Sequence, residues 1–292
     1  MLSKITAIIV TIVTMISNLA GLLPSKQVYY TDVAYGTHER QVMDVCFPEN
    51  PGKNEGAVLF IHGGAWVQGD KASFKSRVQN LSKSVGCISA TMNYRYISED
   101  VDCVDILKDI NSALAKIKSM AETRGITCDR VMLVGASAGA HLSLLYSYTQ
   151  AAKAPIKPCA VAAYSAPADL SSDRFIVDST LLPVDKTIHL LSYLTGTNLF
   201  KLSDSQMRSV LYKFSPLKYV ASSCVPTLVV HGKVDTIVPI DDTYRMVDKL
   251  ESKGVPYTFI ELPDSGHSLD NDLYLMGKSD KVFVDFVNMY IK

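Results

Sequence analysis

Between an apolar run and a helix-forming run this chain reverses direction within about five residues. Val131-Met132-Leu133-Val134 is rich in β-branched and aliphatic residues and reads as a buried parallel strand, whereas Ala140 to Tyr148 reads as a helix. Gly135-Ala136-Ser137-Ala138-Gly139 must make the turn. So sharp a strand-to-helix reversal brings backbone so close that side chains at the two flanking positions would clash, which calls for glycine at both. The serine is pushed outward at the positive end of the helix. A developing negative charge is favoured there, and the Ala138 N–H is a ready donor.

The rest of the chain alternates strands with helices around this turn. Val28 to Gly36 and Gln41 to Phe47 predict a hairpin, Ala57 to Ile61 a central buried strand, and Cys87 to Asn93 the next. Cys103, Ile106, Leu107, Ile110, Leu114, Ile117 and Met120 mark one face of a long helix, with Asp102 as N-cap and Gly125 as stop. Ala160 to Ser165 is a strand after the serine helix; Pro226 to Val230 restarts the sheet after a gap. Arg245 to Lys253 is a helix, Tyr257 to Leu262 the last strand and Lys281 to Ile291 a closing helix. The alternation predicts an α/β fold: a mostly parallel central sheet with helices on both faces, whose working edge lies where strands end. Residues 171–213 are leucine-rich and helical without strand signals, and read as a lid insertion after the sixth strand.

Serine is a poor nucleophile at neutral pH and needs a base held by an acid. His38 falls in the hairpin, His189 in the insertion, His141 one turn beyond the serine, and His231 at the end of a strand. His267, in Leu262-Pro263-Asp264-Ser265-Gly266-His267, follows the last strand in a flexible loop and suits the base best. Asp235 follows a strand directly and is the candidate acid. Asp241 and Asp242 read as the start of a helix, and Asp264 is too close to His267 in sequence. Ser137, Asp235 and His267 then stand in one of the known chain orders for such a triad. His62-Gly63-Gly64-Ala65-Trp66 ends a central strand with unobstructed backbone, so Gly63, Gly64 and Ala65 join Ala138 as candidates for an oxyanion hole. Trp66 is a candidate pocket wall or a packing residue, and Tyr94-Arg95 a candidate brace for the same loop.

These motifs, with Gly69-Asp70-Lys71, Asn93-Tyr94-Arg95, Asp235 before Val238-Pro239, and Gly266-His267, resemble the α/β-hydrolase superfamily over nearly all of the chain after residue 27. Within it they look like the esterase/lipase branch related to hormone-sensitive lipase. They are most similar to the group of carbohydrate acetyl and feruloyl esterases, arylformamidases and prenylcysteine methylesterases. The resemblance implies the α/β-hydrolase fold and carboxyl-ester hydrolysis through an acyl-serine, with no metal or organic cofactor, on a small-molecule or oligosaccharide ester. It leaves an arylformamidase or amidase using the same triad, and a non-catalytic hydrolase-fold binding protein, as alternatives. Ala65 stands where many relatives have a third glycine, but only its N–H is needed. The long helical N-terminal cap of some lipase relatives is missing, which makes the insertion the main source of specificity.

Ile5 to Leu23 carries no charge and follows Lys4, so residues 1–23 read as a signal peptide or membrane anchor ahead of a hydrolase domain spanning 24–292. Export to the outside, secreted or anchored, is the expectation, with membrane contact only if the segment is uncleaved. The 29 basic and 29 acidic residues balance, which points to no nucleic-acid partner. Six cysteines without a Cys-x-x-Cys pair do not suggest a metal site. They read as buried thiols, or as one disulfide drawn from Cys128, Cys159 and Cys224.

Overall fold

The computed structural model describes residues 27–292. Residues 1–23, expected to form the export segment, lie outside them. Eight strands form one sheet in the order β1-β2-β4-β3-β5-β6-β7-β8. They are β1 (Val28–Ala34), β2 (Val42–Phe47), β3 (Ala57–Ile61), β4 (Ile88–Met92), β5 (Arg130–Ala136), β6 (Lys157–Tyr164), β7 (Thr227–Gly232) and β8 (Tyr257–Leu262). The β1–β2 and β2–β4 pairs are antiparallel, and every pair from β4 through β3 to β8 is parallel.

Nine α-helices complete the described chain: α1 (Lys75–Val85), α2 (Cys103–Glu122), α3 (Ala138–Thr149), α4 (Asp173–Ile176), α5 (Val184–Thr195), α6 (Asp204–Lys213), α7 (Pro216–Tyr219), α8 (Asp241–Ser252) and α9 (Leu273–Tyr290). The sheet separates two apolar cores. Along β3, Ala57, Leu59 and Ile61 pack toward α2 and α3, while Val58 and Phe60 pack toward α1 and α9. Both sets are fully buried, which is why this strand has no polar face in the sequence. The expected cap of α2 is a complete capping box: the Asp102 carboxylate accepts from the Asp105 N–H, and Asp105 returns the bond.

Several helix starts bear on the expectations. α3 starts at Ala138 rather than Ala140, so the helix begins at the residue after the serine. α8 starts at Asp241, as the pair Asp241-Asp242 suggested, and the two carboxylates offset the exposed N–H groups of its first turn. α9 starts eight residues early at Leu273, because the exposed Leu273 and Tyr274 break the apolar periodicity that marks its later turns. In the insertion, Leu191, Leu194, Leu199, Met207 and Leu211 are buried in the core on the α2/α3 side. Its first part is tied to the loop after β7: Thr180 N–H and Ser179 Oγ donate to the carbonyls of Thr236 and Ile237 at 2.7 Å each.

Candidate active site

β5 delivers Ser137 to the edge of the sheet in a backbone conformation few residues adopt, with φ 53° and ψ −122°. Close packing imposes it. A Cβ at Gly139 would lie 2.0 Å from the Ile61 carbonyl oxygen, and one at Gly135 would lie 2.2 Å from the Gly139 carbonyl. The Ser137 N–H is held by the Tyr164 carbonyl at 2.8 Å, which ties the elbow to the end of β6.

Loops after β7 and β8 bring the other two side chains to the same point. Nε2 of His267 lies 2.9 Å from Ser137 Oγ, and Nδ1 lies 2.7 Å from Asp235 Oδ2. An ionised carboxylate only accepts, so the proton sits on Nδ1, and Nε2 receives the serine hydroxyl. Asp235 is buried, and its other oxygen accepts from the N–H groups of Ile237 and Val238 at 2.9 Å each. Burial by itself would raise its pKa; hydrogen bonds from His231, His267 and Val238 outweigh it and hold the carboxyl well below the usual carboxylate range.

The remaining histidines have other places. His38 lies in the exposed hairpin, and His189 stands on α5 against Tyr193. His141 is buried edge-on to Trp66 at 5.2 Å, and burial lowers its pKa to about 4. His231 is the functional residue the sequence concealed. It is fully buried behind the acid, with Nε2 2.8 Å from the Val238 carbonyl and 3.3 Å from Asp235 Oδ2, while Thr243 Oγ1 meets Nδ1 at 2.8 Å. Its position in His231-Gly232, just before the acid loop, was the available signal.

Gly64, Ala65 and Ala138 line a cleft of about 290 Å³ together with Ser137 and His267. Among the described residues the backbone N–H groups of Gly64 and Ala65 have no hydrogen-bond partner. Gly63 stands behind the nucleophile instead: a Cβ there would lie 2.9 Å from the Ala136 carbonyl oxygen and 3.2 Å from Ser137 Cβ. Trp66 serves both expected purposes, walling the cleft and packing on His141. From the insertion only Phe175 and Leu181 reach this cleft; Ile237, Val238 and Pro167 supply more of its apolar wall.

The loop is braced from behind. His62 stacks on Tyr94 at 4.4 Å between ring centres, and the Tyr94 hydroxyl donates to the His62 carbonyl at 3.1 Å. Arg95 contributes at a distance, through paired bonds to Asp109 on α2. Asn93 accepts from the Lys71 N–H at 2.6 Å and donates to Asp70 at 2.9 Å, which links the two motifs Gly69-Asp70-Lys71 and Asn93-Tyr94-Arg95. Arg40, unnoticed in the sequence, donates to the Tyr94 and Gly69 carbonyls at 2.8 and 3.2 Å and covers the Tyr96 ring at 3.6 Å.

All six cysteines are thiols, four of them buried. Among the described residues no group of acidic, histidine or cysteine side chains could hold a metal ion, and no helix is long and apolar enough to cross a membrane.

The model of the BD-FAE family matches residues 43–250. Curated relatives include a probable isoprenylcysteine alpha-carbonyl methylesterase of Arabidopsis thaliana, 26% identical over 274 residues, covering 89% of this chain and 55% of the relative. Another is the esterase LipC of Mycobacterium tuberculosis, 25% identical over 252 residues, covering 84% and 61%. The chain thus spans 55% to 61% of the length of these relatives. Among solved structures, a truncated carbohydrate esterase from gut microbiota superposes with a TM-score of 0.72 at 19% identity, over 91% of this chain and 98% of that one. Esterase B from Lactobacillus rhamnosis gives 0.71 at 18%, over 97% and 96%. Both share the fold.

Proposed function

Because this chain belongs to the BD-FAE family of hormone-sensitive-lipase-like α/β-hydrolases, we propose that it is a serine carboxylesterase for short-acyl or aryl esters, including those on carbohydrates. The observation that carries this reading is the unbroken hydrogen-bond chain from Ser137 through His267 to a buried, ionised Asp235. The names of its relatives and structural neighbours, methylesterase and carbohydrate esterase among them, agree with it.

In this mechanism Ser137 Oγ attacks the ester carbonyl while its proton passes to Nε2 of His267. Gly64, Ala65 and Ala138 N–H groups receive the oxyanion. Collapse breaks the bond to the alcohol oxygen, which takes the proton from Nε2 and leaves an acyl-serine. Water, deprotonated by the same imidazole, attacks the acyl carbon and releases the acid. Asp235 keeps the imidazole in the required tautomer and stabilises it when charged.

The test is hydrolysis of p-nitrophenyl butyrate and an acetylated xylan fragment, beside an N-formyl aromatic amide, by the wild type and Ser137→Ala. Ester turnover that vanishes in the variant supports the proposal. Turnover of the formamide in preference to both esters replaces it with an arylformamidase. Activity that survives Ser137→Ala removes the serine mechanism. The apolar run at residues 5–23 supports a site of action outside the cytoplasm, which fractionation of tagged full-length protein tests.

A further inference from the structure

Ser137 and His267 line two clefts, one on each side of the sheet. The first holds the oxyanion donors. The second, of about 280 Å³, opens toward α1 and α9 and is walled by Phe74, Arg77, Tyr164, Leu269 and Met276. None of Gly64, Ala65 and Ala138 lines it, whereas His267 and the two residues after it do. A tetrahedral carbon on Ser137 places its oxyanion against the donors and its leaving oxygen against Nε2. Since the oxyanion donors line the first cleft alone, the acid half of the ester is placed there and the alcohol half in the second as part of the inference stated below. At about 30 Å³ per water, the second cleft has room for roughly nine water-sized groups, enough for a ring with a substituent.

Among the described residues lining either cleft, Arg77 is the sole fixed charge. It projects from α1, with its guanidinium carbon 5.9 Å from the centre of the Tyr164 ring. Among the described residues its one ion pair is to Asp280 on α9, at 3.1 Å, with the two side chains 39% and 53% exposed, a geometry that contributes little in water. Asp280 does not line the cleft. The guanidinium has five donors, so one partner on the outside leaves others for a group within.

Resting on the esterase reading above, we infer that the second cleft is an alcohol site in which Arg77 selects esters whose alcohol carries an acidic group, such as a carboxylate. The first cleft, with no charged wall, takes an uncharged acid.

The experiment compares kcat/KM for benzyl butyrate, 4-carboxybenzyl butyrate and benzyl hemisuccinate at low and high salt. The para carboxylate lies too far from the reacting oxygen to change its leaving ability much, so the comparison reports recognition. The carboxybenzyl ester is expected to be preferred about tenfold over the neutral one, less so at high salt because the pair is partly exposed. The ratio falls to about one in Arg77→Gln and widens in Asp280→Asn, which releases the guanidinium from its outer partner. Equal rates for the two benzyl esters in the wild type, or a preference unchanged in Arg77→Gln, overturn the assignment while leaving the esterase reading intact. A preference for the hemisuccinate instead overturns the placement of the two halves. Absence of any Ser137-dependent turnover overturns the esterase reading and this one with it.

Discussion

Nη2 of Arg40 lies 3.3 Å from Nε2 of His62, and Nδ1 of the same ring lies 2.8 Å from the Gly63 carbonyl oxygen. A guanidinium only donates, so Nε2 accepts and the ring proton sits on Nδ1, where it donates to Gly63. Burial keeps this imidazole neutral, with its pKa lowered to about 4. A planar trans peptide whose carbonyl is held on one side turns its N–H to the other. Arg40 is thereby a positioning residue for the Gly64 donor. Arg40→Ala is expected to lower kcat about tenfold with KM little changed, a fraction of the 10²- to 10³-fold cost of losing a whole donor. Steady-state kinetics of Arg40→Ala, His62→Ala and the double variant check the route: if Arg40 acts through His62, the double variant is no slower than His62→Ala.

His231→Phe tests the support behind the acid. It leaves the Thr243 hydroxyl and the Val238 carbonyl without their buried partner, at a cost of about 2 kcal/mol in stability. It also removes a donor beside Asp235, and kcat is expected to fall about tenfold. Thermal melts and turnover on the same preparations separate the two effects, because an aromatic ring that merely filled the space would change neither.

Asp235→Asn is expected to reduce kcat by about 10⁴, the usual consequence of losing the group that fixes the tautomer of a triad histidine. The substitution also has a signature in stability. The native carboxyl titrates below its unfolded counterpart, so it stabilises the fold above the ordinary carboxylate range, and this contribution fades as pH falls toward the depressed native value. Melting temperatures of wild type and variant should accordingly differ more at pH 7 than at pH 3.

Gly139→Ala tests the elbow as a packing constraint. Its added carbon would meet the Ile61 and His62 carbonyl oxygens at 2.0 and 2.5 Å, both backbone atoms that cannot rotate away. A loss of about 4 kcal/mol is expected, a fall of roughly 10 °C in melting temperature. Gly125→Ala is the comparison: nothing lies near its Cβ position, and only the positive φ of 70° is penalised.

Features that depend on neighbours in sequence were legible before any coordinates. The elbow, the N-cap at Asp102 and the fully apolar β3 each state their geometry within a few residues. Asp235 and His267 were found because a parallel sheet collects its strand ends on one edge, so position after a strand stood in for position in space. Arg40 and Arg77 escaped because their roles arise only when the β1–β2 hairpin and α1 fold against loops distant in the chain. An arginine in a polar stretch carries no local mark of such a role. The start of α9 was missed for a related reason: Leu273 and Tyr274 are apolar yet exposed, which blurs the pattern.

The most direct test of the account is to incubate the full-length protein with a fluorophosphonate at neutral pH and locate the adduct by peptide mass mapping. One equivalent on Ser137, formed at least a hundredfold more slowly when His267 is alanine, is the predicted result. No adduct on Ser137, or one that forms as fast without His267, would contradict the claim that the imidazole activates this hydroxyl.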